Sequence, residues 1–284
     1  MAKTRELDTS LVSQAVSKLV QEANFALPDD VVEALEIALK REESSRGREV
    51  LQMMLDNNGI AADESTPLCQ DTGLAVVFVE IGQAVILTGQ NLNDAINQGV
   101  KAGYSAGYLR NSVAADPTGH RVNTGDNTPA VLHTEIVSGD RLKITVFIKG
   151  GGSESVGAAT VLQPAAGVAG IKQFVMEAVR AAGPNPCPPL IIGVGIGGTL
   201  DAAGLLAKKA LLRPLNVANS NKKLDALEEE LESAINGTGV GPAGWGGRIT
   251  CLGVRILERP SHIATLPVAV DISCYCLRRA SETL

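Results

Sequence analysis

The chain has 284 residues, 45% of them hydrophobic and 20% charged, enough for one large core or two lobes and incompatible with a disordered polymer. Its formal net charge of −6 lacks the clustered Lys and Arg that nucleic acid or an anionic membrane requires, so the expected partners are small molecules and proteins. No window approaches the roughly 18 apolar residues of a spanning helix, and the start, Met1 to Asp8, has no apolar signal core, so the expected location is cytoplasmic.

Helical periodicity opens the chain, with Leu11, Val12, Ala15, Val16, Leu19 and Val20, then Val31, Val32, Leu35, Ile37 and Ala38 after Pro28-Asp29-Asp30. Two amphipathic helices are expected there. A strand follows at Leu74–Glu80 and a helix at Asn93–Tyr108. Alternation of Leu142, Ile144, Val146 and Ile148 with Lys143, Thr145, Phe147 and Lys149 predicts a strand that empties into Gly150-Gly151-Gly152-Ser153-Glu154. Beyond it the pattern predicts a helix at Ile171–Ala182, a strand at Leu190–Val194, helices at Leu200–Leu212 and Lys222–Ile235, and strands at Arg248–Glu258 and Leu266–Ile272. The glycine-rich stretch from Gly237 to Gly247, which holds the only Trp, is expected to be a loop. With aromatic residues at 3%, Val, Ile, Leu and Ala must fill the core. The expected fold class is mixed α/β (α+β). It is organised as one unit over 1–284, with a helical N-terminal region (1–60) followed by an α/β body (61–284) of sheets flanked by helices.

The five cysteines, Cys69, Cys187, Cys251, Cys274 and Cys276, are odd in number and dispersed, which points to reduced thiols or metal ligands. Cys69 stands in a polar turn, Pro67-Leu68-Cys69-Gln70-Asp71-Thr72-Gly73, where a packing cysteine has no apolar stripe to join. Cys187 sits among prolines in Pro184-Asn185-Pro186-Cys187-Pro188-Pro189, and Cys274 follows a strand in Asp271-Ile272-Ser273-Cys274-Tyr275-Cys276. Three separate loops thus each present one thiol, with none of the local C-x₂₋₄-C pairs of a zinc site. Cys251, inside a strand, reads as packing, and Cys276 as either packing or an alternative ligand. A reading of a different class, an NAD-binding dehydrogenase, rests on Gly193-Val194-Gly195-Ile196-Gly197-Gly198. That fingerprint also wants an acidic residue about 20 positions on, and none stands there before Asp225.

The ordered set Cys69-Gln70-Asp71-Thr72-Gly73, Leu109-Arg110, Asn123 to Ala130, Lys149 to Glu154, Cys187-Pro188-Pro189, Gly193 to Gly198, Lys208-Lys209-Ala210 and Ser273-Cys274 to Arg278-Arg279 spans nearly the whole chain. It resembles the class I, iron-sulfur-dependent fumarate hydratases, and in particular their alpha subunit, a family shared with L(+)-tartrate dehydratase alpha chains. The resemblance implies a [4Fe-4S] cluster held by Cys69, Cys187 and Cys274, whose fourth iron lacks a protein ligand and serves as Lewis acid on a substrate hydroxyl. It also implies that a C4 dicarboxylate is held by Gln70, Asp71, Arg110 and the Gly151 and Gly152 amides. His262 matches a substrate-contacting histidine and, with Asp71, forms the expected catalytic pair. His120 and His133 are read as structural, and Asp126, Asn127 and Thr128 as a hydrogen-bonded turn near the site. The chain stops at Leu284, so a separate beta subunit is expected to supply the threonine base and further Arg and Lys contacts, in an α2β2 hetero-oligomer. Fumarate and malate are the first expected substrate pair, with L(+)-tartrate as the alternative.

Overall fold

A computed structural model describes residues 4–284. In chain order its elements are β1 (Arg5–Asp8), α1 (Thr9–Phe25), α2 (Asp29–Arg41), α3 (Ser45–Glu64), β2 (Leu74–Gly82), β3 (Val85–Thr88), α4 (Leu92–Ala106), β4 (Val131–Val137), β5 (Leu142–Lys149), α5 (Gly151–Glu154), β6 (Ala158–Leu162), α6 (Gly167–Ala182), β7 (Leu190–Gly197), α7 (Leu200–Ala210), α8 (Lys222–Asn236), β8 (Cys251–Arg259), β9 (Leu266–Ser273) and β10 (Arg278–Thr283). This mixture of helices and sheets bears out the mixed α/β expectation. The chain divides into two compact units, one of residues up to Pro28 with Asn57–Gly151 and Arg278–Leu284, the other of Asp29–Asp56 with Gly152–Leu277.

In the first unit, β10, β5, β2 and β4 form a sheet in that order, antiparallel except for the parallel β2–β4 pair. Val12, Val16, Leu19 and Val20 of α1 and Ile96, Val100 and Tyr104 of α4 close over Val77, Val79, Ile144 and Val146, so the apolar stripe and the alternating strand meet in one core. β1 pairs in parallel with β3 as a separate ribbon.

In the second unit the sheet runs β6-β9-β7-β8, with β7 and β8 parallel and the other pairs antiparallel. Alternate residues of β7 face opposite layers. Leu190, Ile192, Val194 and Ile196 pack in a core with Val175 of α6 and Leu231 of α8. Gly193 and Gly195 instead face α7: a Cβ on Gly193 would lie 2.1 Å from the Ala207 carbonyl oxygen, and one on Gly195 2.0 Å from that of Ala203. These glycines therefore sit inside a strand and let a helix lie directly on it, whereas a dinucleotide fingerprint places its glycines where pyrophosphate approaches.

The sequence pattern predicts the strand at Arg248–Glu258 to begin earlier than it does. β8 starts at Cys251 because the preceding amides bond to side chains: Arg248 and Ile249 donate to Glu42, and Thr250 donates to Asn236. A third N-terminal helix, α3, also departs from the two expected, and it buries just Gly47, Leu51, Met54 and Ala61, too sparse a stripe to stand out.

Candidate active site

Within the first unit, the Cys69 turn is held on both sides of the thiol. Leu68 donates its amide to the Asn24 carbonyl at 2.8 Å and accepts from Asn57 at 3.0 Å. After the thiol, the buried Tyr104 hydroxyl lies 2.6 Å from the Thr72 carbonyl and 2.9 Å from that of Gly73 and shares its one proton between them, and Asn127 donates to Gly73 at 3.1 Å. Burial pushes the Tyr104 phenol up, so it remains a donor throughout the ordinary pH range. Gly73 has φ +68°, and a Cβ there would meet the Lys149 carbonyl oxygen at 2.8 Å, so the turn needs glycine. The half-buried Cys69 thiol lies 3.3 Å from Gln70 Oε1.

Asp71 is the hub of this turn. Its Oδ1 accepts from the Gly73 amide at 3.0 Å and its Oδ2 from the Gly151 amide at 2.8 Å, tying Cys69-Gln70-Asp71 to the glycine-rich turn after β5. The Gly151 amide, expected to meet substrate, is thus donated to Asp71, while Gly152 is exposed. Arg110 stands 3.9 Å from Asp71 with a side chain 65% exposed, so this ion pair steers the guanidinium and adds little stability. Arg278, 2% exposed, donates to the Asp71 carbonyl at 2.6 Å and to Asn24 Oδ1 at 3.3 Å, and its Nε has no hydrogen-bond partner. Asn24 and Tyr104 are supports that no local sequence pattern marks as functional. Of the three supports, Arg278 alone carries a sequence signal, as part of the Arg278-Arg279 pair that follows Cys274.

Within the second unit, Cys187 is exposed and takes φ +56°, its amide donating to the Pro184 carbonyl at 3.1 Å. Cys274, at the end of β9, is half-buried, and its thiol lies 3.8 Å from the Cys276 carbonyl oxygen. Cys276 and Cys251 are buried. Burial drives the Cys251 thiol far above its ordinary value and its hydrogen goes to the Gly253 carbonyl at 3.4 Å, which marks it as a packing residue. Exposure thus separates Cys69, Cys187 and Cys274 from the other two.

His262 is exposed on the turn between β8 and β9 and lines a cleft of about 620 Å³ with Arg259, Gly198 and Leu200. Its Nδ1 accepts from the Ala264 amide at 3.1 Å, so a neutral ring carries its proton on Nε2 and presents that atom as donor. In the same unit Lys208 of α7 bridges Glu154 (2.7 Å) and Asp271 (2.9 Å), linking the glycine-rich turn to β9, the strand that ends just before Cys274. Burial works to lower the Lys208 ammonium, and the two carboxylates outweigh it, so it titrates above its ordinary value and stays charged.

Among the described residues no three His, Cys, Asp or Glu side chains converge on a single metal ion. A four-iron cluster makes no such demand, because each thiolate binds a different iron. The donor set suits one: three thiols accessible in their own units, and beside the Cys69 turn a buried guanidinium with an unpaired Nε.

The profile of the fumarate hydratase (Fumerase) family matches residues 13–283. A Methanocaldococcus jannaschii protein, provisionally named L(+)-tartrate dehydratase subunit alpha, is 41% identical over 277 residues, covering 96% of this chain and 97% of that protein. L(+)-tartrate dehydratase subunit alpha of Escherichia coli (strain K12) and its counterpart in Shigella sonnei (strain Ss046) are each 36% identical over 277 residues, covering 94% of this chain and 91% of theirs. The chain therefore belongs to the fumarate hydratase (Fumerase) family and is a hydro-lyase.

Proposed function

We propose that this chain is the cluster-binding alpha subunit of a [4Fe-4S]-dependent dehydratase acting on a hydroxylated C4 dicarboxylate, with L(+)-tartrate as its preferred substrate. The observation that carries the reading is near end-to-end similarity to proteins named as alpha subunits of L(+)-tartrate dehydratase. Cys69, Cys187 and Cys274 are the ligands, and the bound cluster supplies an open iron as Lewis acid for a hydroxyl that is otherwise a poor leaving group. Asp71, already committed to two amides, orients Arg110, whose fork clamps a substrate carboxylate. His262 offers its Nε2 proton to substrate oxygen, and Gln70 and the Gly152 amide complete the polar contacts. A separate beta subunit supplies the base, in an α2β2 assembly located in the cytoplasm.

The family's own description supports fumarate and malate as a second reading. The relatives' names move tartrate, the alternative in the sequence reading, ahead of it. The two differ by one hydroxyl, and a site built to hydrogen-bond a hydroxyl rejects the analogue lacking it by a factor of up to about 10⁴. Reconstituted alpha and beta chains assayed anaerobically should give a kcat/KM for L(+)-tartrate at least about a hundredfold above that for malate. The reverse ratio would transfer the assignment to fumarate hydratase.

A further inference from the structure

Glu42, just past α2, is 2% exposed, and its charge is met by four main-chain amides. Its Oε1 accepts from Glu43 (2.9 Å), Ser44 (2.9 Å) and Arg248 (3.0 Å), and its Oε2 from Ile249 (2.8 Å). Burial works to raise this carboxyl, and the four amides outweigh it, holding it below its ordinary value. Two glycines make room: a Cβ on Gly47 or on Gly247 would come within 2.8 Å of the Glu42 side chain. A buried carboxylate in this setting is an anchor for the base of the loop that ends at Arg248 and Ile249.

From that base a relay of bonds reaches Cys187. Thr250, fully buried, accepts from the Gly241 amide at 3.0 Å through its hydroxyl and from the Leu190 amide at 2.7 Å through its carbonyl. Ala243 donates to the Pro188 carbonyl at 2.7 Å, and a Cβ on Gly244 would stand 2.4 Å from Pro184 Cβ. The segment from Pro184 to Leu190 is thus gripped at its start and end by the loop that Glu42 anchors. Cys187 within it takes a left-handed conformation, which a residue with a side chain keeps only where its surroundings over-determine it.

We infer that Glu42 is a positioning residue for Cys187, acting through the Gly241–Thr250 loop. Its importance for the cluster rests on the reading of Cys187 as a ligand. Glu42→Gln keeps the size but turns one acceptor into a donor that faces backbone N–H groups. Amide hydrogen exchange on the full-length chain should then accelerate about tenfold or more at Cys187, Leu190 and the Ala243–Thr250 stretch. The core of β9 and the Leu68 amide in the other unit should keep their rates. Should Glu42→Gln fail to fold, Thr250→Val cuts the same relay one step nearer Cys187 and should give the same local pattern. Unchanged exchange at Cys187 and Leu190, or acceleration spread evenly over the chain, would overturn the inference. The ligand reading is tested separately by the iron content of Cys187→Ser, since retention of the full cluster there would remove the ligand role while leaving the exchange result intact.

Discussion

Asp71 and Tyr104 show how single side chains set the Cys69 turn: one carboxylate joins two amides from different segments, and one buried phenol holds two successive carbonyls. The accessible thiols follow the same logic, since a ligand must face outward from its loop while a packing thiol disappears into a sheet. Cys69→Ser, Cys187→Ser and Cys274→Ser should each abolish assembly of the iron-sulfur cluster, whereas Cys251→Ser and Cys276→Ser should retain it, as read by iron content after anaerobic reconstitution. Loss of the cluster in Cys276→Ser with retention in Cys274→Ser would exchange the third ligand. The polar setting of Cys69 was legible in the sequence because Pro, Gln, Asp and Gly surround it. Its supports were not, because Asn24, Tyr104 and Arg278 come from α1, α4 and β10, and no local pattern connects segments so far apart in the chain.

At the level of elements, the long periodic segments α1, α2, α4, α6, α7 and α8 and the strands β2, β5, β7 and β9 were readable from spacing alone. The missed strands are short or polar. β4 lies at a sheet edge with Ile136 75% exposed, and β10 reads Arg-Arg-Ala-Ser-Glu-Thr, so neither shows the apolar alternation of a covered strand. The glycines of β7 carry the correct outline of a nucleotide motif for a different reason, the direct seating of α7. Gly195→Ala should therefore destabilise the fold by more than about 3 kcal/mol, because its Cβ meets backbone that cannot give way. Gly204→Ala, on α7 with nothing within 4 Å of the new atom, should stabilise by about 0.5–1 kcal/mol. Chemical denaturation of the two variants checks both; equal effects would contradict the seating of α7 on β7.

For the whole molecule, membership of the hydro-lyase family and the mixed fold agree with the sequence reading, and the ordered set of motifs along nearly the whole chain, the cysteine loops among them, made the family legible. Substrate choice was not legible, because tartrate and malate share both carboxylates and differ in one hydroxyl, while the residues read as contacting substrate serve either. The proposed function stands or falls on whether this chain carries an iron-sulfur cluster with one iron open to substrate. The most direct test is anaerobic iron and sulfide analysis of the freshly purified chain with its beta partner, with EPR spectra before and after mild oxidation. Expected are about four irons and four sulfides per alpha chain, a three-iron EPR signal after oxidation, and a spectrum perturbed by L(+)-tartrate. An iron-free protein that resists reconstitution yet dehydrates tartrate would contradict the proposal.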